Sequence, residues 1–375
     1  MSEGQVTYPP APARGSDPPP ATDRVSRRSA AVLVFVFLGL LVGVAGTLVH
    51  LPYAVMMPGP ISNVLGQTTH ADGTASALIV IDGHPTFPTT GSLDFTTVRV
   101  SGGPGYPVNV WSVLSAWVDA TEEVYPVDAL FPPQQTQDQV QQENTAEMVD
   151  SQQEATAVAL RKAGIAVPEK VSVASVTSDA ASGSALQAGD VLVSVGGTAI
   201  DSAATARAAI QKTTPGGTAN LVVDRKGAQV AVAAKTGTSA DGRTVLGVLL
   251  KVDFEFPFKV TIDAGAVGGP SAGLMFSLGV YDKLTDGSLT GGKNIAGTGT
   301  IADSGAVGPI GGIRQKMVGA QRGGATFFLA PADNCTEVRG HVPDGLQIVK
   351  VATFDEGEAA VKKIGTGDTA SLPTC

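Results

Sequence analysis

The chain reads as an α+β protein carried behind an apolar N-terminal helix, and three stretches predict this. An uncharged run from Ser29 to Val49, rich in Val, Leu, Phe and Ala, has the length of a membrane span. A β-rich segment with its own glycine punctuation covers Gly164 to Thr238. Finally, a short β-like run, Phe258 to Asp263, passes through Ala264-Gly265-Ala266-Val267 into a helix-like run from Leu274 to Val280. At 375 residues there is material for two or three domains with a real core.

Met1 to about Asp23 is rich in Pro, Ala, Ser and Gly and has no hydrophobic periodicity, so it reads as a disordered tail. Arg24, Arg27 and Arg28 precede the apolar run, and no Lys or Arg follows it before Arg99. That asymmetry predicts a cytoplasmic tail and an extracytoplasmic remainder. The run exceeds a signal-peptide core and no clean Ala-x-Ala site follows, which favours an uncleaved anchor over a leader. Between Leu51 and Val100, β-like runs at Ala77–Ile81 and Thr96–Val100 alternate with Gly and Pro. Asn109 to Val118 reads as a helix or amphipathic connector, and Gln134 to Gln142 as a polar Gln-rich stretch. Met148, Val149, Ala155, Ala159 and Leu160 recur at helical spacing and predict a helix over Thr145–Ala163. None of these segments carries a catalytic constellation; their expected role is to complete the core.

In the next segment, strand-like runs fall at 171–176, 191–195, 219–224 and 229–233, with a loop over Ser178–Ser184 and a helix over Ser202–Gln211. The run Ala185-Leu186-Gln187-Ala188-Gly189-Asp190, leading into Val191–Val195 and Gly196-Gly197, resembles a PDZ domain of the bacterial protease type. Such domains add a peptide as an extra strand beside a helix and hold its end in a backbone nest. The resemblance leaves the carboxylate-binding loop poorly marked, with Gly164 and Ile165 as its candidates. A β-rich domain without a ligand is the alternative.

Gly268-Gly269-Pro270-Ser271-Ala272-Gly273 sets a serine where a strand gives way to a helix, close to exposed N–H groups at a helix N-terminus. A second stretch, Gly308-Pro309-Ile310-Gly311-Gly312-Ile313-Arg314-Gln315-Lys316-Met317, ends a loop and opens a helix to about Arg322. Ile313, Met317 and Ala320 share one apolar stripe, with Lys316 at its edge. An inward lysine loses hydration, its pKa falls, and its free amine can take a proton from a serine hydroxyl. The competing reading is a lysine whose stem packs while its head reaches water.

Together the two stretches resemble the proteolytic domain of the Lon family of serine peptidases. Pro270-Ser271-Ala272-Gly273 matches the nucleophile motif and Pro309-Ile310-Gly311-Gly312 with Lys316 matches the base motif. The resemblance implies Ser271 as nucleophile, Lys316 as general base, Thr298 of Gly297-Thr298-Gly299 as the lysine's hydrogen-bond partner, and Gly269 and Ala272 in supporting roles. Many family members carry an acid three residues before the serine; here that position is Gly268. An anchor, a PDZ-like insert and this dyad resemble the membrane-anchored PDZ-containing Lon-like peptidases of Gram-positive bacteria.

Gly287-Ser288-Leu289-Thr290-Gly291-Gly292-Lys293-Asn294 imitates a P-loop, but Asn294 replaces the Mg²⁺-binding hydroxyl. No nucleotide is expected, so the reading is of an ATP-independent peptidase. Gly269-Pro270-Ser271-Ala272-Gly273 also fits a nucleophile elbow, which leaves an α/β-hydrolase-like esterase using Ser271 and His341 as one alternative. A non-catalytic peptide-binding envelope scaffold is another. The four histidines show no metal-ligand spacing, and neither metal nor cofactor is expected. Cys335 and Cys375 both follow the anchor, and in an oxidising compartment they are candidates for a disulfide. With 16% charged residues, a net charge of −9 and no basic run beyond the N-terminus, nucleic acid is not an expected partner. Polypeptide substrates and the membrane are, and association with copies of itself stays open. The expected division is tail 1–28, anchor 29–50, N-terminal core piece 51–163, PDZ-like domain 164–238 and catalytic domain 239–375.

Overall fold

The computed structural model describes residues 27–69, 73–177, 180–183, 185–239 and 242–375. The expected disordered tail up to residue 26, and residues 178, 179 and 184 of the Ser178–Ser184 loop, lie outside the described residues. The chain divides into a small unit, residues up to Leu51 with 109–111, and a large one holding the rest. The small unit contains α1 (Arg27–Leu48), a candidate membrane span by length and composition. Its 22 residues rise ~33 Å at ~1.5 Å each, about the thickness of a bilayer's hydrocarbon core.

Beyond α1 the chain runs through β1 (Tyr53–Asn63), β2 (Ser92–Ser101), α2 (Val110–Val118), β3 (Glu123–Pro126) and α3 (Gln137–Lys162). Next come β4 (Glu169–Val176), β5 (Val191–Val195), α4 (Ala203–Gln211), β6 (Thr218–Arg225), β7 (Ala228–Lys235) and β8 (Val248–Phe254). The last part holds α5 (Gly273–Leu284), β9 (Asn294–Gly297), α6 (Ile313–Arg322), β10 (Phe327–Pro331), β11 (Gln347–Val351) and α7 (Phe354–Thr366).

One six-stranded sheet has the order β11-β10-β9-β2-β1-β3. Its first four strands are parallel, and β1 and β3 join antiparallel. Strands from both ends of the sequence therefore build one core. Helix α5 is mostly apolar and buried on nearly every side, its polar Ser277 and Asp282 included. Leu274, Met275, Phe276 and Leu278 are fully buried, packed by α3 on one side and by β2 on the other, where the Phe95 and Phe276 rings meet at 5.4 Å.

Helix α3 starts at Gln137, eight residues before the expected Thr145. From Gln137 on, the Gln-rich stretch is its first turns, because Thr136 and Gln139 form a reciprocal capping box. The helix is polar early and buried late, with Met148, Ser151 and 155–160 inside.

The second sheet is antiparallel, in the order β7-β6-β5-β4-β8, with Val171, Leu192, Leu221 and Val223 in its core. Strand β8 comes from beyond Thr238, so this domain takes its edge strand from the segment expected to be catalytic. Its two connections to the core meet in register, Phe254 opposite Glu169, and the Glu255 N–H donates to Pro168 O at 3.0 Å. Arg161 staples this neck through Val167 O (3.1 Å) and the Glu169 carboxylate (2.6 Å), with its guanidinium over the Phe254 ring.

Candidate active site

Ser271 lies one residue before the N-cap Ala272 of α5. Two bonds from α3 hold the loop before it: the Gly269 N–H donates to Asn144 O (2.9 Å) and Ser151 Oγ to Pro270 O (3.0 Å). A Cβ on Gly268 would stand 2.8 Å from the Asn144 Cβ. Helix α3 thus occupies the space an acidic side chain would need there, which accounts for the departure from the family pattern. The Gly269 N–H is engaged by Asn144, so of the two expected supporting residues only Ala272 keeps its N–H without a backbone partner among the described residues. The Ser271 N–H is in the same condition.

Gly312, in the left-handed conformation (φ 69°), turns the chain into α6. The loop before it is fixed by Asn334, whose Oδ1 accepts from the Ile310 N–H and whose Nδ2 donates to Ile310 O, both at 2.9 Å. Ile313, Met317 and Ala320 are fully buried, and Lys316 enters the same interior at 2% exposure. Its Nζ lies 2.7 Å from Ser271 Oγ and 3.0 Å from Thr298 Oγ1. Burial lowers the Lys316 pKa to about 7.

Thr298 Oγ1 donates to Ser271 O at 2.9 Å, so its oxygen is left to accept from the lysine. A neutral amine has one lone pair; with one N–H directed to Thr298, that lone pair can face the serine hydroxyl. The arrangement suits proton transfer from Ser271 to Lys316. His341 is exposed, and its Nδ1 contacts Arg339 O (3.1 Å); the basic group brought against Ser271 is Lys316. Cys335 and Cys375 are joined in a disulfide. The P-loop-like stretch ends in strand β9 at Asn294 rather than in a helix, and so lacks the helix N-terminus that cradles phosphates.

Gly164 and Ile165 lie elsewhere than the resemblance to PDZ domains suggested. Gly164 (φ 80°) closes α3, its N–H donating to Arg161 O, and Ile165 packs on the core around α5. The groove in the second sheet is instead a cavity of about 330 Å³ between α4 and the edge strand β8. Ile210, Leu246, Val248 and Leu250 give it an apolar lining, and Arg207 and Arg243 add positive charge. The Val245-Leu246-Gly247-Val248 run entering β8 carried the signal, a glycine between apolar residues at the start of a strand. It lay outside the expected boundary at Thr238.

A mixed sheet that carries the Ser271–Lys316 pair is thus joined to a second, antiparallel sheet flanked by α4. Residues 231–361 match the Lon protease (S16) C-terminal proteolytic domain, and residues 139–236 match the PDZ domain. The chain carries both, with β8 of the PDZ sheet falling inside the stretch matched to Lon. It is similar to Lon protease of Azospirillum brasilense, 38% identical over 91 residues, which are 24% of this chain and 11% of that protein. It is also similar to Lon protease 1 of Bacillus subtilis (strain 168), 31% identical over 116 residues, 30% of this chain and 15% of that protein. The chain therefore spans a small part of the length of the curated relatives it matches. Among solved structures, the PDZ domain of an SdrC-like protein from Listeria monocytogenes is 23% identical, with a TM-score of 0.21, covering 21% of this chain and 85% of that one.

Proposed function

We propose that the protein is an ATP-independent, membrane-anchored serine endopeptidase whose catalytic domain lies outside the cytoplasm. Ser271 attacks the scissile carbonyl while Lys316 takes its proton. Lys316 then returns that proton to the leaving amine, and water hydrolyses the acyl-enzyme by the reverse sequence. Thr298 orients the amine, and the N–H groups of Ser271 and Ala272 are candidates for holding the oxyanion. The PDZ groove takes an extended polypeptide along β8, with apolar side chains and a terminal carboxylate as the matching chemistry.

One observation carries this reading: a buried lysine with pKa about 7 whose amine stands 2.7 Å from a serine at a helix N-terminus. The test is cleavage of an unfolded protein by the full chain in detergent or nanodiscs. Ser271→Ala and Lys316→Ala should each abolish it, and His341→Ala should keep it. Activity surviving Lys316→Ala but lost in His341→Ala would assign the serine to an esterase-type site. Absence of activity in the wild-type chain, with an intact PDZ groove, would leave a binding scaffold.

A further inference from the structure

The strand β9 pairs with β2 only as far as Gly297, opposite Phe95. Beyond it the Thr298 N–H still holds to β10 through Leu329 O, but the Thr298 hydroxyl and the Gly299 N–H both turn to Ser271 O, away from β2. On its other side β2 continues to pair with β1 as far as Ser101. Beyond Thr96, whose hydroxyl donates to Gly297 O, one hydrogen-bonding edge of β2 therefore has no strand partner among the described residues as far as Ser101. Alternate residues of a strand direct their N–H and C=O groups to opposite sides, so about half of this stretch offers backbone groups to the gap. The gap starts beside the nucleophile, because the segment that leaves it open is the one that supports the dyad.

This edge forms one wall of a cleft of about 700 Å³ that also contains Ser271 and Lys316. The early turns of α3, with Val140 and Asn144, form another wall. No Asp or Glu lines the cleft, in a chain whose net charge is −9. Its cations are Lys316, neutral when it works as a base, and Arg99, which is exposed and makes no ion pair among the described residues.

We propose that a substrate polypeptide enters as an extended strand paired with the open edge of β2, and that Arg99 selects an acidic side chain a few residues from the scissile bond. Arg99 lies three residues from Thr96, ~10 Å along a strand at ~3.3 Å per residue. The apolar, acid-free remainder of the cleft favours uncharged side chains nearer the bond. This inference rests on the peptidase reading and gives it a substrate geometry.

The experiment uses the wild-type chain and a peptide substrate in which each backbone amide is methylated in turn. Removing a hydrogen bond that the edge makes should lower kcat/KM about tenfold. Every second position should show that loss and the positions between should not. In parallel, substrates carrying Glu or Lys at each position are compared in wild type and Arg99→Glu. One position should favour Glu by about threefold in wild type, the scale of an exposed ion pair, and should invert in the variant.

A fluorophosphonate that labels the nucleophile without occupying the cleft separates the two claims. Labelling of Ser271 together with uniform tolerance of methylation overturns the edge-pairing inference and leaves the peptidase reading standing. Labelling with no change of charge preference in Arg99→Glu overturns the role of Arg99. A wild-type chain that neither labels nor cleaves sinks the peptidase reading and this inference with it.

Discussion

Lys316 sits where a lysine is expensive. Moving its pKa from the ordinary lysine value to about 7 corresponds to roughly 5 kcal/mol of disfavour for the ammonium form. Two outcomes follow from that. Because the amine must be neutral to accept a proton, kcat/KM should rise with pH through about 7 and be lost below it, measured as a pH–rate profile on a small peptide. Between about 7 and about 10 the unfolded chain binds a proton that the folded chain does not, so stability should climb with pH across that window. Lys316→Met should be more stable than wild type at pH 7 and should lack this climb, as calorimetry would register. Thr298→Val, which leaves the amine unoriented, should lower kcat about tenfold with KM little changed, the scale of one hydrogen bond.

At the scale of elements, α3 is a clamp on the serine loop. Gly268→Ala places a methyl 2.8 Å from the Asn144 Cβ and must push loop and helix apart. Labelling of Ser271 by a fluorophosphonate should slow by more than tenfold, while peptide binding to the PDZ groove stays unchanged. The inward turn of Lys316 is legible in the sequence, because Ile313, Met317 and Ala320 define the face beside it. The placement of Ser271 before a buried helix is legible from Leu274–Val280, which is apolar but for Ser277. The clamp is not legible, because Gln137–Asn144 shows no hydrophobic period; its helix is announced only by the capping pair Thr136 and Gln139. The peptide groove escapes for another reason. Its edge strand β8 is separated in sequence from the β-rich segment it completes, and strand pairing across such a gap leaves no local pattern. The open edge of β2 is equally silent, since it depends on where a different strand stops.

For the whole molecule, the neck at Pro168 and Glu255 sets where the PDZ domain can be removed. An excision from Pro168 to Glu255, closed by a short linker, cuts where the chain's two passages are hydrogen-bonded to each other at 3.0 Å. An excision ending at Thr238 would leave β8 without its sheet and uncover Val248, Leu250 and Val252, which pack on that sheet's core. The longer deletion should fold and cleave small peptides at close to the wild-type rate, while cleavage of large proteins should fall, because remote binding energy no longer positions them. The ratio of small-peptide to protein turnover is the measurement, and equal loss on both by a folded variant would show that the domain shapes the dyad itself. Orientation is tested separately: a reporter fused after Cys375 should report from outside the cytoplasm.

That neck also sets an order in time. Ser92 and Asn294, neighbours across β2 and β9, are 202 residues apart in the chain, so the catalytic sheet cannot close until nearly all of it has been made. The PDZ domain is complete once Phe254 has emerged. At ~5–20 residues per second of synthesis, β2 then waits seconds for its partner β9 while a finished domain already stands between them. The chain thus emerges with its PDZ domain complete and its other sheet still unassembled. In pulse-labelled hydrogen exchange during refolding, protection in β4–β8 should precede protection in β2 and β9.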